Sequence, residues 1–558
     1  MKKFLLAFLM LFFILCVSIS ASVSAEKIQS WVDIPREAIT EEGLARVIIV
    51  FEVPGLSALT KDSTLAKDGT TFQTPEEADA ALNSAIHKAG DQLLQRLESH
   101  TKSKAQTYSV NRRFDFLPLL AMDISRDVFL TLSSDSQVRQ ILLDTPTPLP
   151  ILPPVDPAPS ADSEDDELTT SDVMSLIGAD RGWSRGYTGT DWYVAILDTG
   201  IRASHELFSD KDIVEACFSN RGHCPNEATT MTGPGSAAHL SDEFWNYDHG
   251  THVAGTAAGL SSDGNVTGVA KDAHIIAVNI FSGHSPEECD MDDPCIMTES
   301  SDIVAGLLYI YSLRNSYKIG AVNMSLGGGK YSEYCDDEDN YPRYMAINLL
   351  KEANIPTVIS SGNETYCGYV GSPACISPAI TVMASTRSDM EVKFSNWHPT
   401  MGNIFAPGQK ILSAVGSGDE DYEKWNGTSM AAPHVTGAMT LMRQARPFDS
   451  PDDLLSRLTE HGVSITTPCP DGGNQKRLFV DNFHSPREEA DMLFNRLESE
   501  YPDILFPVPT PTQVSDGYIY RHYTGKNVYL AAYDGMAFFI DEQGNTVELG
   551  PVAQLLYP

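Results

Sequence analysis

The chain has 558 residues, of which 42% are hydrophobic and 20% charged, enough apolar content for several domains with sizeable cores. With 39 Lys and Arg against 75 Asp and Glu, the formal net charge is −36, which sets the surface against nucleic acid or anionic membrane as the main partner. The composition also excludes a disordered, fibrous or coiled-coil chain.

Met1-Lys2-Lys3, the apolar run Phe4 to Val17 and the small-residue end Val23-Ser24-Ala25 read as a secretory signal over 1–25. The run is shorter than the roughly 20 residues a membrane span needs. Bulky Phe13-Ile14-Leu15 before Cys16 speaks against a lipid anchor. The expected product is secreted, extracellular or periplasmic, with no membrane span. Losing Cys16 with the signal leaves Cys217, Cys224, Cys289, Cys295, Cys335, Cys367, Cys375 and Cys469. An even set in an exported chain reads as disulfides. Proximity favours 217/224, 289/295 and 367/375, leaving Cys335 for Cys469, although about 105 pairings are open to eight cysteines. The absence of any Cys-x-x-Cys argues against zinc.

Residues 26–144 form the next unit, small and α+β. Ala45 to Phe51 is strand-like; Thr74-Pro75-Glu76-Glu77 has capping-box form, with Leu82, Ile86, Ala89, Leu93 and Leu97 following at helical spacing. A strand over Phe116 to Ile124, a helix near Asp127–Ser134 and a strand over Val138–Leu143 complete it. Residues 145–168, rich in proline and then in Asp and Glu, are expected to be a stiff, exposed linker open to proteolysis.

Over 169–483 apolar strands alternate with amphipathic helices, the pattern of a parallel α/β sheet. Val194–Leu197, Ile275–Val278, Ala321–Met324 and Thr357–Ile359 are its buried-strand candidates. Residues 484–558 open with a helix started by Pro486. They end in a small antiparallel meander over Tyr518–Tyr523, Val528–Tyr533, Ala537–Ile540 and Thr546–Leu549, whose tyrosines are expected in its core.

Three motifs stand at strand ends or helix starts, where α/β proteins place active sites. They are Leu197-Asp198-Thr199-Gly200, His249-Gly250-Thr251-His252 and Asn426-Gly427-Thr428-Ser429-Met430. Ser429 follows a Gly-containing turn, so its hydroxyl is expected at a helix N-terminus, where free N–H groups favour developing negative charge. Asp198, at the end of a buried strand, can fix an imidazole tautomer. Ser360-Ser361-Gly362-Asn363 offers an Asn amide to an oxyanion, and Ser325-Leu326-Gly327-Gly328 leaves an open edge on which an extended peptide can pair. His252, His434 and His205 are read as structural. His249 and His252 lack the spacing and glutamate of a zinc motif.

These motifs, with Gly268-Val269-Ala270, resemble those of subtilisin-like serine peptidases, the subtilase family, over about 171–481. Residues 26–144 are similar to that family's inhibitor-like propeptide. The resemblance implies a subtilisin-like parallel sheet flanked by helices, with a small α+β propeptide and a small β-rich C-terminal domain. It implies a secreted endopeptidase, made as a self-processing zymogen, that hydrolyses protein or peptide substrates and is held in check by its own propeptide. By position, Ser429 is the nucleophile, His249 the base, Asp198 its orienting carboxylate and Asn363 the oxyanion donor; Ser325, Leu326, Gly327 and Gly328 bind substrate. The chemistry needs no cofactor. The family often holds structural Ca²⁺, but no sites are assigned here: Glu287, Glu288, Asp290, Asp292 and Asp293, and likewise Asp336 to Asp339, fit a solvated loop better. Glu364-Thr365 and the acidic insertions at 284–302 and 331–343 depart from compact members and bear on substrate preference. The rival from another class is an idle scaffold that binds through 485–558; the complete set of Asp198, His249, Ser429 and Asn363 speaks against it.

Overall fold

The computed structural model describes residues 43–54, 74–100, 107–155, 169–289, 293–465, 467, 469, 475–481, 483–484, 486–500, 512–515, 518–523, 528–533, 536–540, 546–552 and 555. The secretory-signal stretch and 156–168 lie outside them. The chain divides into two compact units, one of residues 1–145 with 335–344 and one of 146–334 with 345–558.

In the first unit, β1 (Ala45–Phe51), β2 (Tyr108–Arg113), β3 (Leu119–Ile124) and β4 (Val138–Leu143) form an antiparallel sheet in the order β2-β3-β1-β4. Helices α1 (Pro75–His100) and α2 (Arg126–Ser134) share one core with it. Alternate β1 residues Val47, Ile49 and Phe51 meet Ile86, Leu93 and Leu97 at i, i+7, i+11 of α1 and Phe129 of α2. The Thr74 hydroxyl accepts from the Glu77 N–H at 3.2 Å, satisfying one free donor at the start of α1. Two differences from expectation stand out: β2 was not foreseen, and the strand expected from Phe116 begins at Leu119. Phe116 itself has a φ of +64°, incompatible with extended backbone.

The second unit contains β5 (Pro146–Pro148), β6 (Tyr193–Asp198), β7 (Ile213–Phe218), β8 (Thr230–Thr232), β9 (His274–Asn279), β10 (Ser282–His284), β11 (Cys295–Glu299) and β12 (Ile319–Met324). It continues with β13 (Gly328–Tyr331), β14 (Thr357–Ser360), β15 (Val370–Ser372), β16 (Ile380–Ser385), β17 (Ile404–Pro407), β18 (Ile411–Ala414) and β19 (Tyr422–Trp425). The main sheet has the order β17-β16-β14-β12-β6-β9-β7-β8 and is parallel except for edge strand β8. Helices α3 (His249–Ala258) and α5 (Thr428–Ala445) bury Val253, Ala257, Val435 and Met439 in one core with Val194, Ile196 and Ala277. On the opposite face, α4 (Ser300–Ser312) approaches Leu197 and Val278 so closely at Gly306 that a Cβ would lie 2.3 Å from Leu197. This is the expected α/β layering, and all four buried-strand candidates are strands. From central β6 the chain builds β7 and β9 on one side and β12, β14, β16 and β17 on the other. The reversal opens a crevice beyond the carboxyl end of β6.

Cys217–Cys224 and Cys289–Cys295 are paired as expected. The third expectation is corrected: Cys367 bonds Cys469, 102 residues away, so the pairs 367/375 and 335/469 do not form. Sequence proximity misled because the two ends meet through the fold. Cys367 bridges Trp397, and Cys469 packs with Trp397, Phe405 and Ile465, whereas Cys375 turns away beyond β15, its N–H donating to the Gly371 carbonyl at 3.0 Å.

The C-terminal part of this unit is α6 (Pro486–Glu500) packed on a five-stranded antiparallel meander over 513–551, one strand more than expected, at Gln513–Ser515. Its core is Ala490, Leu493 and Phe494 against Leu530, Ala532, Ala537 and Val552. Tyr520 is not part of that core; its hydroxyl donates outward to Gln513 at 2.9 Å. No helix among the described residues is long and apolar enough to cross a membrane.

Candidate active site

The crevice beyond β6 gathers the three motifs. Asp198 ends β6, and His249 is the first residue of α3. The two elements touch because Gly250 has no side chain: a Cβ there would sit 2.2 Å from the Gly200 carbonyl oxygen and 3.1 Å from Asp198 Cβ. That approach brings His249 Nδ1 to 2.8 Å from Asp198 Oδ1, with the imidazole 0% and the carboxylate 1% exposed. The same Oδ1 accepts the Thr199 N–H at 2.8 Å. A buried carboxylate on Nδ1 fixes the proton there and leaves Nε2 as the basic nitrogen.

Ser429 is the second residue of α5, where unpaired N–H groups and the helix dipole favour negative charge. Its carbonyl is held by the Ser325 hydroxyl at 2.8 Å; Ser325 in turn accepts from Asn323 Nδ2 at 2.9 Å, and Thr436 Oγ1 donates to Asn323 Oδ1 at 3.0 Å. Ser429 Oγ and His249 Nε2 are both buried and neither has a hydrogen-bond partner. A Ser429–His249 hydrogen bond is therefore not closed, as often holds away from the reacting complex.

Asn363 follows β14 at a turn that only glycine permits: Gly362 has a φ of +107°, and a Cβ would lie 2.3 Å from Asn396 Nδ2. Asn363 Oδ1 accepts from both the backbone N–H and the hydroxyl of Thr428 at 2.9 Å. This double anchor turns the Nδ2 end of the amide away from Thr428, the residue that precedes Ser429 in sequence. Thr428 was not foreseen as a site residue; its signal was a second hydroxyl at the first position of the helix.

The remaining motif histidines are fixed as structure. His252 stacks on Trp425 with ring centres 4.5 Å apart, and its Nε2 faces the carbonyls of Ile411 and Glu423 at 3.1 and 3.2 Å. Burial pushes its pKa down to about 3. His434 Nδ1 meets the Met430 carbonyl at 2.8 Å, and burial lowers its pKa to about 4. His205 accepts the Leu207 N–H and faces the Asp421 carbonyl at 3.0 Å.

Of the residues expected to bind substrate, Ser325 and Leu326 are wholly buried, so their side chains support the crevice from beneath. Gly327 is buried against the Ser372 carbonyl, and half-buried Gly328 reaches the crevice edge. The first part of the segment expected to be an exposed linker, residues 146–155, occupies that edge instead: β5 pairs antiparallel with β11, Pro148 opposite Met297 and Thr147 opposite Thr298. Its other side faces Gly328, where a Cβ would lie 3.5 Å from Pro148. Thr147, Leu149 and Pro150 are buried. The expectation failed because proline content excludes a central strand but not an edge strand.

Among the described residues, no group of three or more His, Cys, Asp or Glu is placed to hold a metal ion. Glu288 is tied to Arg221 at 2.8 Å and to the Ser285 N–H at 3.0 Å; Asp290 and Asp292 lie outside the described residues.

Residues 189–478, just over half of the chain, match the model of the Subtilase family. The chain belongs to this family. A protein named extracellular serine proteinase from Thermus sp. (strain Rt41A) is 32% identical over 271 residues, 49% of this chain and 55% of that protein. Cerevisin from Saccharomyces cerevisiae is 32% identical over 282 residues, 49% of this chain and 36% of cerevisin. Subtilisin-like serine protease Rho m 2.0101 from Rhodotorula mucilaginosa is 33% identical over 288 residues, 50% of this chain and 70% of that subtilase. This chain thus spans about half the length of the first of these relatives and less of the second.

Proposed function

We infer that this subtilase is a serine endopeptidase that hydrolyses protein or peptide substrates through an acyl-enzyme. The observation that carries the reading is the buried Asp198–His249 pair at 2.8 Å, whose unpartnered Nε2 lies on α3, packed against the helix that presents the unpartnered Ser429 hydroxyl. Ser429 Oγ attacks the scissile carbonyl and His249 Nε2 takes its proton. The carbonyl oxygen, as it gains charge, is stabilised by Asn363 Nδ2 and the Ser429 N–H. The imidazolium is stabilised by Asp198 and gives its proton to the leaving amine; water then releases the acyl group by the reverse sequence. Every step uses protein groups and water, with no cofactor.

The chain is further read as a secreted, self-processing zymogen. Its N-terminal signal pattern supports export, as does the extracellular Thermus relative by its name. The independently packed α+β unit ahead of the catalytic region supports a propeptide that chaperones folding and inhibits in cis. Intact mass of the secreted chain beside Ser429→Ala, each treated with a fluorophosphonate, tests the reading. One label and loss of the N-terminal unit in the wild type, with neither in Ser429→Ala, is the expected result. An unlabelled, full-length wild type would overturn it.

A further inference from the structure

The Pro146–Val155 segment enters the second unit as a bound strand, and its carbonyls meet the catalytic machinery in chain order. Residues 146–148 add β5 to β11, so an extended backbone is held before it reaches the crevice. Asn363 Nδ2, aimed outward by the two Thr428 bonds to its oxygen, donates to the Ile151 carbonyl oxygen at 3.1 Å. Leu152 follows beside Gly427, where a Cβ would lie 3.3 Å from Leu152 Cδ2, and it packs against the core that holds Met430. Asn426 Nδ2 then donates to the Pro154 carbonyl at 2.8 Å. Two side-chain amides, of Asn363 and Asn426, thus hold a carbonyl on each side of Leu152, which itself lies against Gly427, two residues before Ser429 in sequence.

Resting on the peptidase reading above, we propose that Ile151–Leu152 is the bond this chain cuts in itself. Of the carbonyls in the segment, that of Ile151 is the one on the Asn363 amide, the donor assigned to the developing oxyanion. Ser429 Oγ bonds to the Ile151 carbonyl carbon and the C–N bond to Leu152 breaks. The Ser429 proton passes through His249 to the Leu152 nitrogen. Water hydrolyses the Ile151 ester, leaving a carboxylate on Ile151, a free amine on Leu152 and Ser429 restored. The segment is read by its backbone and by buried Thr147, Leu149 and Pro150, while the Ile151 side chain is 68% exposed. The matching substrate class is therefore extended, uncharged and proline-tolerant on the acyl side.

The test is the terminal sequence and mass of both fragments from the full chain, with fluorophosphonate labelling of Ser429 read in parallel. Fragments ending at Ile151 and beginning at Leu152 are expected, and none from Ser429→Ala. A labelled enzyme that starts elsewhere, for instance within 156–168, or that stays uncut, overturns this bond and leaves the peptidase reading standing. An unlabelled, uncut chain overturns both. Leu152→Pro, which makes the scissile amide tertiary, should abolish the cut. A peptide of residues 143–157 given to the processed enzyme, independent of any variant's folding, should be cut between Ile151 and Leu152; a different cut overturns the proposal.

Discussion

The crevice floor and the strand that lies in it are built on opposite terms. In the floor, Asp198, His249, Ser429 and Thr428 are each 0% exposed by residue, and a close backbone approach at Gly250 sets His249 against Asp198. The occupying segment, Pro146 to Val155, has no titratable side chain and alternates between buried Thr147 and Leu149 and exposed Pro146, Pro148 and Ile151. The floor is specified by its own side chains. The segment is specified by what it lies against. A preorganised site gains catalytic power from the first arrangement, because its dipoles need no reorganisation when charge develops. The second arrangement suits a segment that must be released.

The largest break in this comparison is Ser429→Ala. It removes the attacking oxygen from the floor and leaves the segment's contacts alone. Peptide hydrolysis should fall by about 10⁶ in kcat, a magnitude carried over from subtilisin, the relative on which it was measured, and not obtained from this structure. The chain should also stay full length. Residual cutting at the same bond in this variant would mean that a second protease processes it.

Asn363→Ala tests the contact where floor and segment meet. Loss of a single oxyanion donor cost about 10²–10³ in kcat in subtilisin, again the worked case for this family. Here the variant should lose rate in that range with KM little changed. Self-processing should slow in proportion, since the same Nδ2 holds the Ile151 carbonyl. A normal processing rate beside slowed peptide hydrolysis would separate the two and dissolve the link between them.

Ser429, Asn363 and Asp198 were legible in the sequence because their neighbours declared them. Asp198 closes a buried apolar run, Ser429 follows a small turn and opens a helix, and Asn363 follows a strand and a glycine; local pattern alone gives each its place. The parallel sheet was legible for the same reason, through unbroken runs such as Ile275–Val278. What escaped was decided at a distance. Thr428 matters because its hydroxyl reaches Asn363, 65 residues earlier. Cys367 finds Cys469 because Trp397 and Phe405 gather both chain segments. The 146–148 strand exists because β11 offers an edge, and β2 was missed because Tyr108–Arg113 is half-exposed and polar, without an apolar face to announce it. Periodicity reports burial against a core; it says little about pairing at an edge.

A smaller effect sharpens the segment's side of the comparison. Leu149 is 9% exposed and Ile151 68%. A carboxylate introduced at Leu149 must be desolvated when the segment is bound, whereas one at Ile151 remains in water. Leu149→Asp should slow processing by about tenfold or more, on the order of the 1.4 kcal/mol that such a factor represents, and Ile151→Ala should change it by less than about twofold. The appearance of the processed band over time measures both. Equal losses from the two substitutions would show that the crevice grips the Ile151 side chain, and the account of the segment as read through its buried positions would fall.

The smallest expected effect is on stability and belongs to the floor alone. His252 and His434 are held neutral by burial, with pKa values near 3 and 4 against about 6.5 in an unfolded chain. Their sign is that of a base depressed on folding: between pH 6.5 and 4 the unfolded chain takes up protons that the native floor refuses. Stability from these residues is therefore fully present above pH 6.5 and falls as pH falls, by about 1 kcal/mol per pH unit for each histidine. Measured on Ser429→Ala, so that self-cleavage does not intervene, the melting temperature of the second unit should be level above pH 6.5 and decline below it. His434→Gln should flatten that slope even where it lowers the plateau. The segment, lacking any titratable group, contributes nothing to it. A slope unchanged in His434→Gln would place the acid sensitivity elsewhere than in this histidine.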